Sequence, residues 1–352
     1  MEEVTLQKGN MHPLIKEGVF LSGETTFRIG GEARFFAEVR EVSQIKEVIQ
    51  FAKEHNLPIF FLGGGSNTVF KDEGHDGLII KNRIRGIKIL SENEDEVEIK
   101  AYAGEVWDEV VEFCVEQGFG GIENLTAIPG TLGGAIVQNI GAYGCEIKSV
   151  VQSVDVFDPK AKAIRTLSLD ELAFGYRDSV FKKETHKDLF IVSATLLLKK
   201  HSVANLEYKD LKNFFEGRDA STVSISEVRE ALKIIRSKKF PDLSKMGTAG
   251  SFFKNSIVDK ATVERLQKDY PDMPIFALDG GLYKLSSAWI LDKVCGLRGM
   301  KEGNLGLFEN QSLVVVNFEN ATSEELKKFI SKIKKLAFEK IGVELQEEVI
   351  VL

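Results

Sequence analysis

GIENLTAIPGTLGGAIVQNIGAYGCEI, residues 121–147, places Gly121, Gly130, Gly133, Gly134, Gly141 and Gly144 in a stretch with no charge between Asn124 and Gly144. Glycine costs conformational entropy in any regular element. A run this dense therefore needs a backbone reason, either a sharp turn or close approach to something large and flat. A bound cofactor meets that description. A second such stretch, Phe61-Leu-Gly-Gly-Gly-Ser-Asn67, ends an apolar run upstream. Two glycine-rich loops on one chain suggest one extended ligand held at two places. The N–H groups of the upstream loop could form an anion nest, with Ser66 and Asn67 adding donors to a diphosphate. An ordinary tight turn would explain that loop alone, which is neither a Walker loop nor GxGxxG. Together the two stretches favour a flavin or a dinucleotide.

Around these loops the pattern mixes strands and helices. Residues 33–39 (ARFFAEV) read as a strand. A helix starting at Ser43 follows, with Ile45, Val48, Ile49 and Ala52 on one face, and Asn56-Leu57-Pro58 stops it. Residues 59–62 form a short buried strand feeding the first loop. Further strands are predicted at 77–81, 84–90 and, by clean alternation, 97–103. A helix over 106–117 ends at Gly118. Strands at 150–157 and 189–198 flank a polar segment. Ser224-Ile-Ser-Glu227 is a capping box opening a helix that carries Val228, Leu232 and Ile235. Pro241-Asp242 breaks that helix, and a domain boundary is placed there. Beyond lie a helix at 288–294, a strand at 313–318 and a helix opened by Thr322 to Glu325. The core face of that helix is Leu326, Phe329, Ile330, Ile333 and Ala337. A short strand closes the chain at 347–352. Without strict βαβ alternation, α+β fits better than a doubly wound sheet.

The length of 352 residues suggests two or three domains, and 43% hydrophobic residues is enough for real cores. A net charge of −7 argues against a general nucleic-acid binder. The lysines 327, 328, 332, 334 and 335 are interspersed with Glu324, Glu325 and Glu339, as on a solvated helix face. Cys114, Cys145 and Cys295 are scattered, which disfavours disulfides and a cysteine metal site. His12, His55, His75, His186 and His201 show no metal or triad spacing. The start, MEEVTLQKGNMHPLI, has no leader pattern, and no apolar run reaches membrane length. A cytoplasmic protein with no metal is the expectation.

Three polar segments could carry chemistry. In Gly175-Tyr-Arg-Asp-Ser179, Tyr176 and Arg177 could orient a carboxylate or enolate, although a surface turn with a paired arginine is the plainer alternative. In Gly247-Thr-Ala-Gly-Ser-Phe-Phe-Lys-Asn255, small residues let the backbone approach a ligand at Ser251. That serine could be a nucleophile, a proton donor or simply a strand residue in a bulge. Glu344, Glu347 and Glu348 near the end would ordinarily be solvated charge.

FLGGGSN, GIENLTAIPGTLGGAIVQNIGAYG, GYRDSVFK and GSFFKN, in that order, resemble the UDP-N-acetylenolpyruvoylglucosamine reductase family, from Thr25 to Glu348. The resemblance implies a three-domain α+β flavoprotein. Residues 1–83 and 84–240 would form a two-part FAD-binding module of the vanillyl-alcohol-oxidase type, and 241–352 a substrate-binding domain whose last strand returns toward the active site. FAD would be non-covalent, since neither loop has a histidine, although Cys145 lies close by. Gly63, Gly64, Gly65, Ser66 and Asn67 would hold its diphosphate. Ile128, Pro129, Gly130, Gly133, Gly134, Gln138, Asn139, Gly141 and Ala142 would lie along the flavin.

The implied reaction makes UDP-N-acetylmuramate for peptidoglycan. NADPH reduces FAD, and reduced N5 then gives hydride to C3 of the enolpyruvyl group of UDP-N-acetylglucosamine enolpyruvate. Arg177 and Glu348, the glutamate as a protonated donor, would stabilise the enolate, and Ser251 would protonate C2. Tyr176, Tyr208, Lys239, Asn255 and Arg298 match substrate-site positions. Tyr208 and the uninterrupted GYRDS segment match the longer branch of the family, and a monomer is expected. Departures exist: Leu345-Gln-Glu-Glu-Val-Ile350 stands for Leu-Glu-Pro-Glu-Val-Arg, which keeps Glu347 open beside Glu348. Arg298 stands for a lysine, and Ser256 for a common proline. An FAD-dependent oxidase of a sugar or lactone on the same fold is the alternative.

Overall fold

Residues 12–352 are described by the computed structural model; residues 1–11, and so most of the segment read as leaderless, fall outside it. The alternation at 33–39 becomes the centre of a first sheet. Strands β1 (Ile15–Phe20) and β2 (Glu32–Val39) pair antiparallel. Helix α1 (Val42–Glu54) follows and buries Ile45, Val48, Ile49 and Ala52. Its start is fixed by a capping box between Glu41 and Gln44 rather than at Ser43. Strands β3 (Ile59–Leu62), β4 (Thr68–Val69) and β5 (His75–Asn82) come next. The sheet order is β1-β2-β5-β3, with β5 parallel to both β2 and β3.

A second, five-stranded antiparallel sheet has the order β11-β10-β12-β7-β6. It is built from β6 (Ile87–Glu92), β7 (Glu96–Tyr102), β10 (Val151–Asp158), β11 (Ala163–Ser168) and β12 (Phe190–Lys199). The strand expected from residue 84 begins only at Ile87. The backbone at 83–84 is spent on Val39, Asn82 and Gly104 instead. Between β7 and β10 run α2 (Trp107–Glu116), α3 (Leu132–Gln138) and the short hairpin β8 (Gly141–Ala142) with β9 (Cys145–Glu146). Val97, Ile99, Trp107, Val111, Ile136 and Leu196 share the core beneath. Helices α4 (Lys209–Phe214) and α5 (Ile225–Lys239) form a satellite cluster with Tyr143.

The third sheet, β13-β19-β18-β17, comprises β13 (Gly247–Ser251), β17 (Lys301–Glu302), β18 (Leu305–Phe308) and β19 (Gln311–Asn317). Helix α8 (Ser323–Ile341) opens at the Thr322 capping box and buries Leu326, Phe329, Ile330, Ile333 and Ala337. Strands β14 (Ile257–Val258), β15 (Ile275–Ala277) and β16 (Tyr283–Leu285) make a small separate sheet beside α6 (Lys260–Asp269). The helix expected at 288–294 is one α turn, α7 (Ser287–Trp289), running into a π turn at Ile290–Val294. The last strand is only β20 (Ile350–Val351), parallel to β4. The fold is α+β, and among the described residues no helix is long and apolar enough to cross a membrane.

One buried arginine, paired with two carboxylates, locks α5 onto α2. Arg229 is 4% exposed. Its Nη1 lies 2.7 Å from Asp108 Oδ1 and its Nη2 3.2 Å from Glu112 Oε1. Burial raises the Asp108 carboxyl, but the Arg229 hydrogen bonds, the Ala127 N–H and the guanidinium charge together hold it below its ordinary value. Removing a partner from a fully buried pair costs about 3–5 kcal/mol. Both carboxylates here keep partial access to water, so Arg229→Met should cost about 2–3 kcal/mol. The urea midpoint should fall with the slope unchanged; an unchanged midpoint would refute the clamp.

Candidate active site

The two glycine loops face each other across one wall of a 1920 Å³ cavity, which also reaches β13, α5 and the C-terminal strand. Ligand pockets commonly hold about 300–1,000 Å³, so this one has room for a dinucleotide and a second ligand. The glycines are explained first by each other. A Cβ on Gly64 would sit 2.7 Å from the Gly130 Cα, and one on Gly63 would sit 2.6 Å from the Thr131 hydroxyl. Ser66 Oγ donates to Pro129 O at 2.9 Å, tying the loops together. The N–H groups of Gly64, Gly65, Ser66 and Asn67 have no intramolecular acceptor among the described residues. Such a run of unpaired donors at a cavity wall favours an anion.

Helix α3 forms despite two glycines because Thr131 caps it, its Oγ1 accepting from Gly134 N–H. Gly133 lets α3 pack closely on Ala103, just past β7, where a Cβ would lie a tight 3.1 Å from the Ala103 O. The helix ends at Asn139 in the left-handed region, φ 42°. Asn139 is fully buried, and its amide serves Glu146, Gly175 O and the Lys148 N–H. It therefore does not reach the cavity as expected, because capping and hairpin bonds consume its polar atoms. Ile128, Pro129, Gly130, Gly133, Gly134, Gln138, Gly141 and Ala142 do line the cavity.

The side chain of Gln138 turns to the acidic end of the site. Its Nε2 donates to Glu348 Oε1 at 3.0 Å, and its Oε1 accepts from Lys182 Nζ. Arg177 Nε lies 3.1 Å from the same Glu348 oxygen. That is ion-pair distance, yet the buried N–H is not aligned as a hydrogen bond and keeps an unmet donor. Such a group calls for a partner. Arg177 itself has φ 52° and donates to Gly141 O. Glu348 is held from both sides, its N–H donating to Phe252 O at 2.8 Å and its carbonyl accepting from Asn67 Nδ2 at 3.1 Å. Glu347 points its carboxylate to Lys334, 3.1 Å away.

Ser251 stands at the end of β13, one residue before the Phe252 carbonyl that accepts the Glu348 N–H, where the register with β19 shifts between Thr248 and Ser251 and Gly250 adopts φ 75°. The bulge reading and the site reading are thus both present: Ser251 lines the cavity, and its hydroxyl has no intramolecular partner among the described residues. Tyr176 OH accepts the Asn255 N–H at 3.2 Å, which leaves its own proton free for a ligand. Ser287, which the sequence did not single out, orients Asn255. Its N–H donates to Asn255 Oδ1 at 3.0 Å and its Oγ to Lys254 O at 2.7 Å. Tyr208 packs edge-on against Tyr143, and Lys239 pairs with Asp210; both line the same cavity. Arg298 does not. Its guanidinium bonds Glu309 O and faces Asp292 of the π turn. Lys182 was also missed: burial, with the charge of Lys254 adding, pushes its ammonium down to about 8. Burial pushes the Cys145 thiol up to about 11.

A donor-rich glycine loop, a long partly apolar cavity and a polar far end define the site of an FAD-binding oxidoreductase. Residues 33–167 match the FAD binding domain family, and residues 242–352 match the UDP-N-acetylenolpyruvoylglucosamine reductase C-terminal domain. The reductase of that name from Pseudomonas putida is 36% identical over 333 residues, covering 95% of this chain and 97% of the relative. That of Neisseria gonorrhoeae is 36% identical over 332 residues, covering 93% and 94%. The solved reductase from Thermus caldophilus has the same fold, with a TM-score of 0.68 at 21% identity over 95% of this chain and 98% of that one. The chain belongs to the UDP-N-acetylenolpyruvoylglucosamine reductase family.

Proposed function

We propose that this protein uses FAD and NADPH to reduce UDP-N-acetylglucosamine enolpyruvate to UDP-N-acetylmuramate, a peptidoglycan precursor, acting as a cytoplasmic monomer. The observation that carries the chemistry is the convergence of Ser251, Arg177 and Glu348 on the cavity that the two glycine loops line. The three-domain division at 83/84 and 240/241 belongs to the same reading. The residues fit FAD: the unpaired N–H groups of Gly64 to Asn67 suit its diphosphate, and the 128–142 stretch offers an apolar wall. Held by the Gly64–Asn67 loop and the 128–142 stretch, FAD would supply the redox chemistry that links NADPH to the enolpyruvyl group.

The chain supplies placement and electrostatics. Arg177 and Glu348 hold the substrate carboxylate, the unmet Arg177 donor strengthening as negative charge develops there. Glu348 uses Oε1 for Gln138 and leaves Oε2 for the polar groups of the substrate. Ser251 delivers its hydroxyl proton to C2. Tyr176 adds a hydroxyl donor, and Asn255, fixed by Ser287, adds its amide. Lys239 and Tyr208 flank the nucleotide end.

The test is anaerobic. One equivalent of NADPH should bleach the purified yellow protein, and adding UDP-N-acetylglucosamine enolpyruvate should restore the oxidised band at once. A band that returns only with oxygen would sink the substrate assignment and leave the FAD fold standing. Gly64→Ala tests the loop contact. Its Cβ meets backbone, an overpacking typically costing about 1–3 kcal/mol. FAD affinity should fall about tenfold for each 1.4 kcal/mol transmitted to the site. Flavin absorbance per protein after dialysis measures it, and full retention would count against the loop.

A further inference from the structure

We propose that Lys182 is a positioning residue for this reduction, holding the Gln138 amide in the one orientation that presents its NH2 to Glu348 and bracing the backbone that carries Arg177. The inference rests on the reductase reading of the site.

Lys182 has no carboxylate within ion-pair distance among the described residues, yet it is half-buried against the active site. A cation so placed is expensive to retain without a specific task. Its Nζ donates to Gln138 Oε1 and, at 2.7 Å, to Arg177 O. Gln138 Nε2 donates to Glu348 Oε1, and Arg177 Nε faces that same oxygen. Four residues thus close a ring through side chains and one carbonyl.

The ring decides which way the amide points. Flipped, Gln138 would set its NH2 against an ammonium and its oxygen against a carboxylate, two repulsions in place of two hydrogen bonds. Gln138 therefore transmits a fixed polarity from Lys182 to Glu348. The second bond acts on Arg177, whose left-handed φ of 52° is uncommon for a residue with a side chain and needs support from its surroundings.

The groups facing Lys182 are Gln138 from α3, Arg177 and Asp178 from its own segment, Lys254 after β13, and Glu348 from the C-terminal segment. With the ammonium titrating at about 8, its hold is charge-assisted below that pH and weakens above it.

Lys182→Met, Lys182→Arg, Gln138→Met and the Lys182→Met/Gln138→Met pair test this in the FAD-loaded enzyme. Lys182→Met should lower kcat for product formation about 10²-fold, the size of a misplacement effect, while NADPH still reduces the flavin. The double variant should lose no more than the larger single loss, because both act through one contact. The alkaline limb near pH 8 should be absent in Lys182→Met and moved upward in Lys182→Arg, which also serves if the methionine variant fails to fold. Additive losses, or an alkaline limb that survives in Lys182→Met, would overturn the proposal.

A second readout needs no turnover. Amine acylation of Lys182, followed by mass spectrometry as a function of pH, should show a midpoint at about 8. Glu348→Gln should lower that midpoint, since the Glu348 charge raises it. An unmoved midpoint overturns the network whether or not the substrate is reduced. If wild-type protein fails to reduce the substrate, the reductase reading falls by itself.

Discussion

Ser251→Ala should retain FAD, be reduced by NADPH at close to the wild-type rate, and lose product formation by about 10²–10⁴-fold, the range of a placed general acid. The hydroxyl stands at a bulged strand end, with no intramolecular hydrogen bond among the described residues to compete for its proton. The bulge matters because a regular strand would continue the β19 ladder through Gly250, whose φ of 75° instead re-aims the following residue. Serine is a feeble acid, so its proton moves only to a strongly basic carbon in tight contact. Alanine removes the proton and leaves the packing of Phe252 and Phe253 alone, both of which are buried in the third core. Stopped-flow traces of the two half-reactions separate the cases. Wild-type turnover in the variant would end the proton-donor role. Slowed reduction by NADPH would show a damaged cavity instead.

The two glycine stretches were legible because glycine carries its reason in its own identity, yet the reason was incomplete. Gly63, Gly64 and Gly130 are needed first for one loop to lie on the other, and only then for what the loops hold. Helix α3 was not legible. LGGAIVQ has poor helix propensity, and only the Thr131 cap and the burial of Leu132 and Ile136 make it one. Periodicity found α1, α2, α5 and α8, whose apolar faces repeat over several turns. It missed β14, β15 and β16, which are too short to show a period. The π turn after Trp289 was hidden for the same reason.

Within the site, residues that touch the cavity from a recognisable segment could be named in advance. Those that act through another residue could not. Lys182 ends the GYRDSVFK segment and lines the cavity, but its contact with Gln138 comes from 44 positions away, and Ser287 meets Lys254 from 33. Nothing local marks either contact. Asn139 and Arg298 show the converse. Each sits in a suggestive segment, but its polar atoms are taken by neighbours that only the folded chain supplies.

Glu348→Gln should slow substrate reduction by about 10²–10⁴-fold and reduction by NADPH far less. The substitution keeps the shape and the backbone bonds to Asn67 and Phe252. Its new amide oxygen can still accept from Gln138, and its NH2 can still donate toward a ligand. A role limited to a neutral hydrogen bond would therefore survive with a modest loss. The large loss is expected because the glutamine cannot carry the negative charge that balances Arg177, whose Nε faces Glu348 at 3.1 Å. Without that carboxylate, Arg177 and the neighbouring Lys182 ammonium lose the anion between them, and with it the partner that fixes the Arg177 side chain. Glu347→Gln is the control. Glu347 spends its carboxylate on Lys334 and should keep the second half-reaction near wild type. A defect of Glu348→Gln confined to NADPH oxidation, or a larger loss in Glu347→Gln, would transfer the role away from Glu348.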